Sequence, residues 1–137
     1  MSSKINEIPF NMLRQLIQEH TALWKKNLPE ITKQQYAVLV ALSDYPNTEQ
    51  KDLIKLSLST KATLAEMLSR MEEKKLITRI KSSSDRRRVF VNLTSSGEEL
   101  LAKTKPLANN VDEYFLSRII DSEKSNFDKI VKKLLGR

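Results

Sequence analysis

At Leu76 the hydrophobic period of this chain changes, and that change limits the folds open to it. Upstream, apolar residues recur every three or four positions. From "LITRIK" (76–81) to "RVFVNLT" (88–94) they alternate, Val89, Val91 and Leu93 against Phe90 and Asn92. A polar tip, "SSSDR" (82–86), separates the two stretches, so the pair predicts a β-hairpin. Everything else reads as helix, in keeping with only two glycines and four prolines in 137 residues.

Six helical segments flank the hairpin. Phe10, Leu13, Ile17, Thr21, Trp24 and Leu28 mark an amphipathic first helix, which Pro29 breaks. Thr32 is positioned to cap "KQQYAVLVALSDY" (33–45), with Tyr36, Leu39, Val40 and Leu42 as its expected buried face. After the turn "PNT", Asn47 or Thr48 is placed to cap a short helix, "EQKDLIKLS" (49–57). Ser59 or Thr60 then caps "KATLAEMLSRMEEKK" (61–75), where Leu64, Met67, Leu68 and Met71 form one stripe. Beyond the hairpin, Ser95 or Ser96 with Glu98 or Glu99 signals a capping box. That helix carries Leu100, Leu101, Leu107, Ala108, Val111, Tyr114 and Phe115, with Pro106 as a kink point. A last helix near 122–135 is expected to bury Phe127, Ile130, Val131 and Leu134.

Helix, short helix, capped helix, hairpin is the order of a winged helix-turn-helix, whose second helix enters the DNA major groove. With the stripe turned inward, Ala62, Ala65, Glu66 and Ser69 face outward and Thr63 and Arg70 flank them. The small residues permit close approach to bases. Lys61 is placed to reach a phosphate or a guanine, and Thr60 and Thr63 a phosphate or a thymine methyl. Glu66 either accepts from a cytosine amino group or pairs with Arg70.

Charge points the same way. Net charge is +7, and residues 74–88 hold seven basic side chains against one acid, Asp85, leaving the rest of the chain nearly neutral. Such a focus is the footprint of a polyanion-binding edge, with anionic lipid the competing target. On the wing, Lys81, Ser84, Asp85, Arg86, Arg87 and Arg88 are the candidate contacts. Arg87 is placed to enter a narrow minor groove, with Asp85 holding its guanidinium in one pose.

The segments "ITKQQYAVLVAL" (31–42), "MEEKKLITRI" (71–80) and "DRRRVFVNLTSSG" (85–97) resemble the MarR-type transcriptional regulators over essentially the whole chain. The resemblance implies a mainly α fold with a small β-hairpin wing, organised as one domain over 1–137. The winged core spans about 31–96, and dimerisation helices span about 5–28 and 97–136. It implies a homodimer reading a palindromic operator on double-stranded DNA, with Asp85 and Arg87 as the wing pair and Thr94 and Gly97 as the wing's structural end. Lys75 departs from the family pattern, which has glycine there to end a helix in the left-handed region. The chain's apolar terminal helices support a dimer independently, since one winged unit covers too little of them. The stretch 18–39 resembles the subgroup governing aromatic-acid breakdown, which implies release by a small aromatic acid or phenol. Arg14, His20, Trp24 and Tyr36 are the candidate pocket residues, with interface packing the competing reading for His20 and core packing for Trp24 and Tyr36.

Several classes are expected to be absent. No cysteine occurs, and one histidine with scattered carboxylates offers no metal-ligand spacing or cofactor site. No phosphate loop or nucleophile pairing suggests an enzyme. No apolar run approaches the roughly 20 residues that span a bilayer, and "MSSKINEIPF" has no secretory core, which suggests the cytoplasm. A non-specific architectural DNA-binder is the alternative that the same basic wing allows.

Overall fold

The computed structural model describes residues 4–137; residues 1–3 of the predicted domain lie outside the described residues. After a 3₁₀ turn at Lys4–Glu7 comes α1 (Pro9–Asn27), with proline in its first turn, where a missing N–H costs nothing. The Leu28 amide closes the helix on the Trp24 carbonyl, and Pro29 follows. The second helix, α2 (Lys33–Asp44), opens with the expected Thr32 cap. Thr32 Oγ1 accepts from the Gln35 amide and the Gln35 side chain accepts from the Thr32 amide, both at 3.1 Å. Its buried face is Val38, Leu39, Ala41 and Leu42, while Val40 and Tyr36 are only half-buried. That corrects the predicted face by a fraction of a turn, because α2 is covered on two sides, by α3 (Leu53–Ser57) and by α5 (Ser95–Leu116).

The segment predicted as one short helix splits. Thr48–Glu49 is a strand, β1, followed by a 3₁₀ turn at Gln50–Asp52 and then α3. Asn47, the candidate cap, instead turns the chain with a positive φ of 59°. The wing is therefore an antiparallel three-stranded sheet in the order β1-β3-β2, with β2 at Ile77–Lys81 and β3 at Val89–Leu93. Thr48 faces Val91 and Glu49 faces Phe90, while Ile77 pairs with Leu93 at the other edge. Two residues are too few to show an alternating period, so β1 exists only through its pairing.

Between α3 and β2 lies α4 (Lys61–Glu73). Leu64, Leu68 and Met71 on its inner face are fully buried with Val38, Leu39, Leu42, Leu53, Ile77 and Val91, each side chain contributing roughly 1.5–3 kcal/mol. The helix ends in a Schellman motif. The Leu76 amide reaches the Met71 carbonyl at 3.0 Å and the Lys75 amide the Glu72 carbonyl at 2.9 Å, with Lys75 at φ 62°. The family's usual glycine position is thus left-handed here as well.

The cap of α5 is Thr94, not Ser95 or Ser96. Its hydroxyl accepts from the Gly97 amide at 3.0 Å and donates to the Lys75 carbonyl, and its amide donates to Leu76. One threonine therefore ties the wing, the end of α4 and the start of α5 together. A Cβ at Gly97 would lie 2.1 Å from the Leu76 carbonyl oxygen, which explains a glycine inside a helix. The helix runs through Pro106 to Leu116 and packs against α1 and α2. The last helix, α6 (Asp121–Leu134), buries no side chain in this single chain. Phe127, Ile130 and Leu134, predicted as buried, are exposed, in line with Phe10, Leu13 and Ile17 on α1.

Candidate nucleic-acid interface and adjoining cleft

The outer face of α4 has the predicted composition. Thr60 caps the helix from an extended conformation, its Oγ1 accepting from the Thr63 amide at 3.2 Å. Thr60, Lys61, Ala62, Thr63, Glu66 and Arg70 are exposed. Glu66 pairs with Arg70 one turn on, at 2.7 Å, the second of the two partners expected for that carboxylate. Ser69 is half-buried and accepts from the Arg79 guanidinium at 3.1 Å, so its hydroxyl is turned to the wing root.

The wing tip is a hydrogen-bonded turn, closed by the Arg88 amide on the Asp85 carbonyl at 3.0 Å and by the Ser82 amide on the Arg88 carbonyl at 2.9 Å. Ser82 Oγ accepts from the Ser84 and Asp85 amides. Asp85 then accepts from both the backbone amide and Nε of Arg87, at 3.0 and 3.1 Å. Those bonds, the side-chain one first, hold the Asp85 carboxyl below the ordinary aspartate range. Arg87 is left with its side chain 91% exposed, oriented but unspent. Lys81, Ser84 and Arg86 are also exposed. Lys61 and Arg87 line one cavity of about 310 Å³, so the first turn of α4 and the wing arginine face a common space.

Two of the seven clustered basic residues are committed elsewhere. Arg79 grips Glu72 of α4 through Nε and Nη2, at 3.3 and 3.0 Å. Arg88 donates Nε and Nη2 to the same Glu49 oxygen on β1, and its guanidinium lies 5.2 Å from the Phe90 ring centroid. Both acids sit outside residues 74–88, so a count along the sequence overstates the free charge of this edge.

Of the four residues proposed as a pocket, His20, Trp24 and Tyr36 form one run of ring contacts, but only His20 lines the cleft beside them. His20 lines a largely apolar cleft of about 590 Å³ with Leu16, Ile17, Asp112, Phe115, Arg118 and Phe127. Trp24 stacks beside His20 at 6.4 Å between ring centroids, and Tyr36 meets Trp24 edge-on at 5.3 Å. Trp24 is buried, with its indole N–H donating to the Ile31 carbonyl at 2.8 Å, so it backs the cleft rather than lining it. Arg14 is exposed on α1 and does not line the cleft. The cleft's cation is Arg118, stacked over Tyr114 and Phe115 at 5.0 and 5.5 Å.

His20 Nε2 meets Asp112 Oδ1 at 2.6 Å, joining α1 to α5, and its Nδ1 is buried without a hydrogen-bond partner. Burial raises the Tyr36 phenol, with Asp112 adding to the shift. Burial also lowers the Lys33 ammonium, which donates to Thr21 Oγ1 at 2.9 Å, while Asp112 opposes that shift. Asp112, Phe115 and Arg118 carried no local signal, because they join His20 only when α5 packs on α1. Among the described residues no group of three or more acidic or histidine side chains is placed to hold a metal, and no helix is long and apolar enough to cross a membrane.

Comparison with known proteins gives concordant results. The model of the MarR family matches residues 31–89. The transcriptional regulator HosA from Escherichia coli O157:H7 is 49% identical over 93% of this chain and 94% of its own. The HTH-type transcriptional repressor NicR from Pseudomonas putida is 29% identical over 91% and 80% respectively. A solved structure of the PcaV transcriptional regulator from Streptomyces coelicolor, in complex with its natural ligand, superposes with a TM-score of 0.89 at 25% identity, covering 99% of this chain and 97% of that one.

Proposed function

The chain belongs to the MarR family of DNA-binding transcriptional regulators, not to an enzyme class, and on that premise we propose that it is a cytoplasmic homodimeric repressor that binds a palindromic operator and is released by a small aromatic acid or phenol. The observation that carries the DNA reading is the common space faced by Lys61 and Arg87. With α4 in the major groove, Arg87 is the residue we assign to the neighbouring minor groove, and its bond to Asp85 supports a fixed pose. The exposed residues of α4 from Thr60 to Arg70, with Lys81, Ser84 and Arg86 on the wing, form the rest of the contact surface.

The effector reading rests on the cleft between α1, α5 and α6. Its apolar walls suit an aromatic ring, and Arg118 suits a carboxylate. The His20 ring, held by Asp112 at 2.6 Å and stacked on Phe115 at 5.7 Å between centroids, adds an aromatic wall. Occupancy there presses on the α1–α5 contact and thereby on the spacing of two winged units.

Selection of bound duplexes from a random library at moderate salt tests the reading. Enrichment of an inverted repeat, with half-sites about one turn or roughly 34 Å apart, is expected. Binding without enrichment would favour an architectural role.

A further inference from the structure

We propose that Glu49 and Arg88 form a brace that sets the pose of the wing relative to α4, so that Arg88 governs DNA binding as a positioning residue and not as a phosphate contact. The proposal rests on the wing being a DNA-binding element.

Three features of the fold carry it. First, both donor nitrogens of Arg88 converge on one oxygen of Glu49, whose side chain is only 15% exposed, in the half-screened setting where such a bond is strong. The Arg88 guanidinium also rests on Phe90, the residue facing Glu49 across the β1–β3 ladder. The pair therefore has a single compact geometry, unlike a pair of free surface side chains. Second, β1 is only two residues long, and the opposite end of the same ladder is tied too. The Asn47 amide donates to the Asn92 side chain at 2.7 Å, and Asn92 Nδ2 donates to Asn47 Oδ1 at 3.1 Å. So short a ladder cannot hold an angle by backbone bonds alone, and these two ties fasten it at either end. Third, Glu49 leads directly into the 3₁₀ turn and α3, the first half of the helix-turn-helix, whereas Arg88 sits beside Arg87 on the wing. The brace thus connects the segment that carries α4 to the one that carries the minor-groove arginine. Glu49 and Arg87 line the same cavity, which places the brace at the wall of the space the DNA would enter.

Two measurements test this. The chain has no cysteine, so Ser84→Cys with Ala62→Cys allows paired spin labels on wing and α4, diluted into unlabelled protein to isolate distances within one chain. A narrow distance distribution is expected, broadened alike by Glu49→Gln and Arg88→Ala. An unchanged width in both variants overturns the brace, whatever the protein does with DNA. Binding is then measured for the duplex that the unsubstituted chain selects from a random library. Glu49→Gln, Arg88→Ala and Arg88→Lys are each expected to weaken it about tenfold, with the Glu49→Gln/Arg88→Ala double variant no weaker than either single one. The slope of affinity against salt should not change. If Arg88 instead touches a phosphate, Arg88→Lys keeps most of the affinity, Arg88→Ala lowers the salt slope by about one, and Glu49→Gln is neutral or tightens binding. That pattern overturns the proposal. Failure of the selection itself counts against the DNA reading and leaves the spin-label result to decide the brace.

Discussion

Arg87 and Arg88 are adjacent, identical and both ion-paired, yet their surroundings differ. Arg87 pairs with an acid two residues away in the same turn and keeps its side chain in solvent; Arg88 pairs with an acid 39 residues away and closes a seam. Arg87→Ala is therefore expected to weaken binding to a selected duplex by ~1–3 kcal/mol while the thermal melt stays where it was. Undiminished affinity in a titration would remove Arg87 from the minor groove. His20 is the corresponding residue of the cleft. Its Nε2 is held by Asp112, and its ring stacks between Trp24 and Phe115 at the cleft wall. His20→Ala should leave DNA affinity near its original value and raise the concentration of a hydroxylated benzoate needed for release by roughly tenfold, the worth of one aromatic wall of the cleft. Release at the original concentration would make His20 a helix-packing residue only.

At the scale of elements, the junction of α4, wing and α5 is governed by backbone conformation. Lys75 sits at φ 62° with its amide in the Schellman pair, and Thr94 and Gly97 lock α5 onto the same turn. A lysine in that region costs about 1 kcal/mol relative to glycine. Lys75→Gly should raise stability by about that amount in denaturant titration, less the extra chain entropy that glycine brings to the unfolded state. A drop in stability would mean that the Lys75 side chain contributes more than its backbone strain costs. The same variant separates fold from function, since a lost phosphate contact would appear as a smaller salt slope with the melt raised.

At the scale of the whole molecule, the single chain leaves apolar side chains exposed on its terminal helices. Phe10, Leu13 and Ile17 on α1 and Phe127, Ile130 and Leu134 on α6 are all exposed, and Phe10 is 69% exposed. A monomer seldom leaves apolar side chains in such number on its terminal helices. Sedimentation is expected to give twice 15.8 kDa. Ile130→Glu should shift the population to monomer by burying a carboxylate at the contact, and with it abolish tight binding to an inverted repeat. A dimer that survives this change would move the interface away from α6. The cleft beside His20 includes Phe127 of α6, so dimer and effector responses should weaken together in that variant.

How much of this was legible beforehand follows from the range of each interaction. The order of elements, the Thr32 and Thr60 caps, the Leu64–Leu68–Met71 stripe, the Asp85–Arg87 pair and the Glu66–Arg70 pair all span four residues or fewer, or repeat at such spacing. Helical and hairpin geometry alone brings those groups together, so they could be read from residue order. Tertiary packing decided what lies further apart. The third strand had no period to reveal it; Thr94 rather than a serine caps α5 because the end of α4 docks there. Partner choice for Arg79, Arg88 and His20 depended on which acids the packed helices and strands carried within reach, at separations of 7, 39 and 92 residues. A charged or titratable side chain meets whatever the fold delivers, and only the assembled structure says which acid arrives.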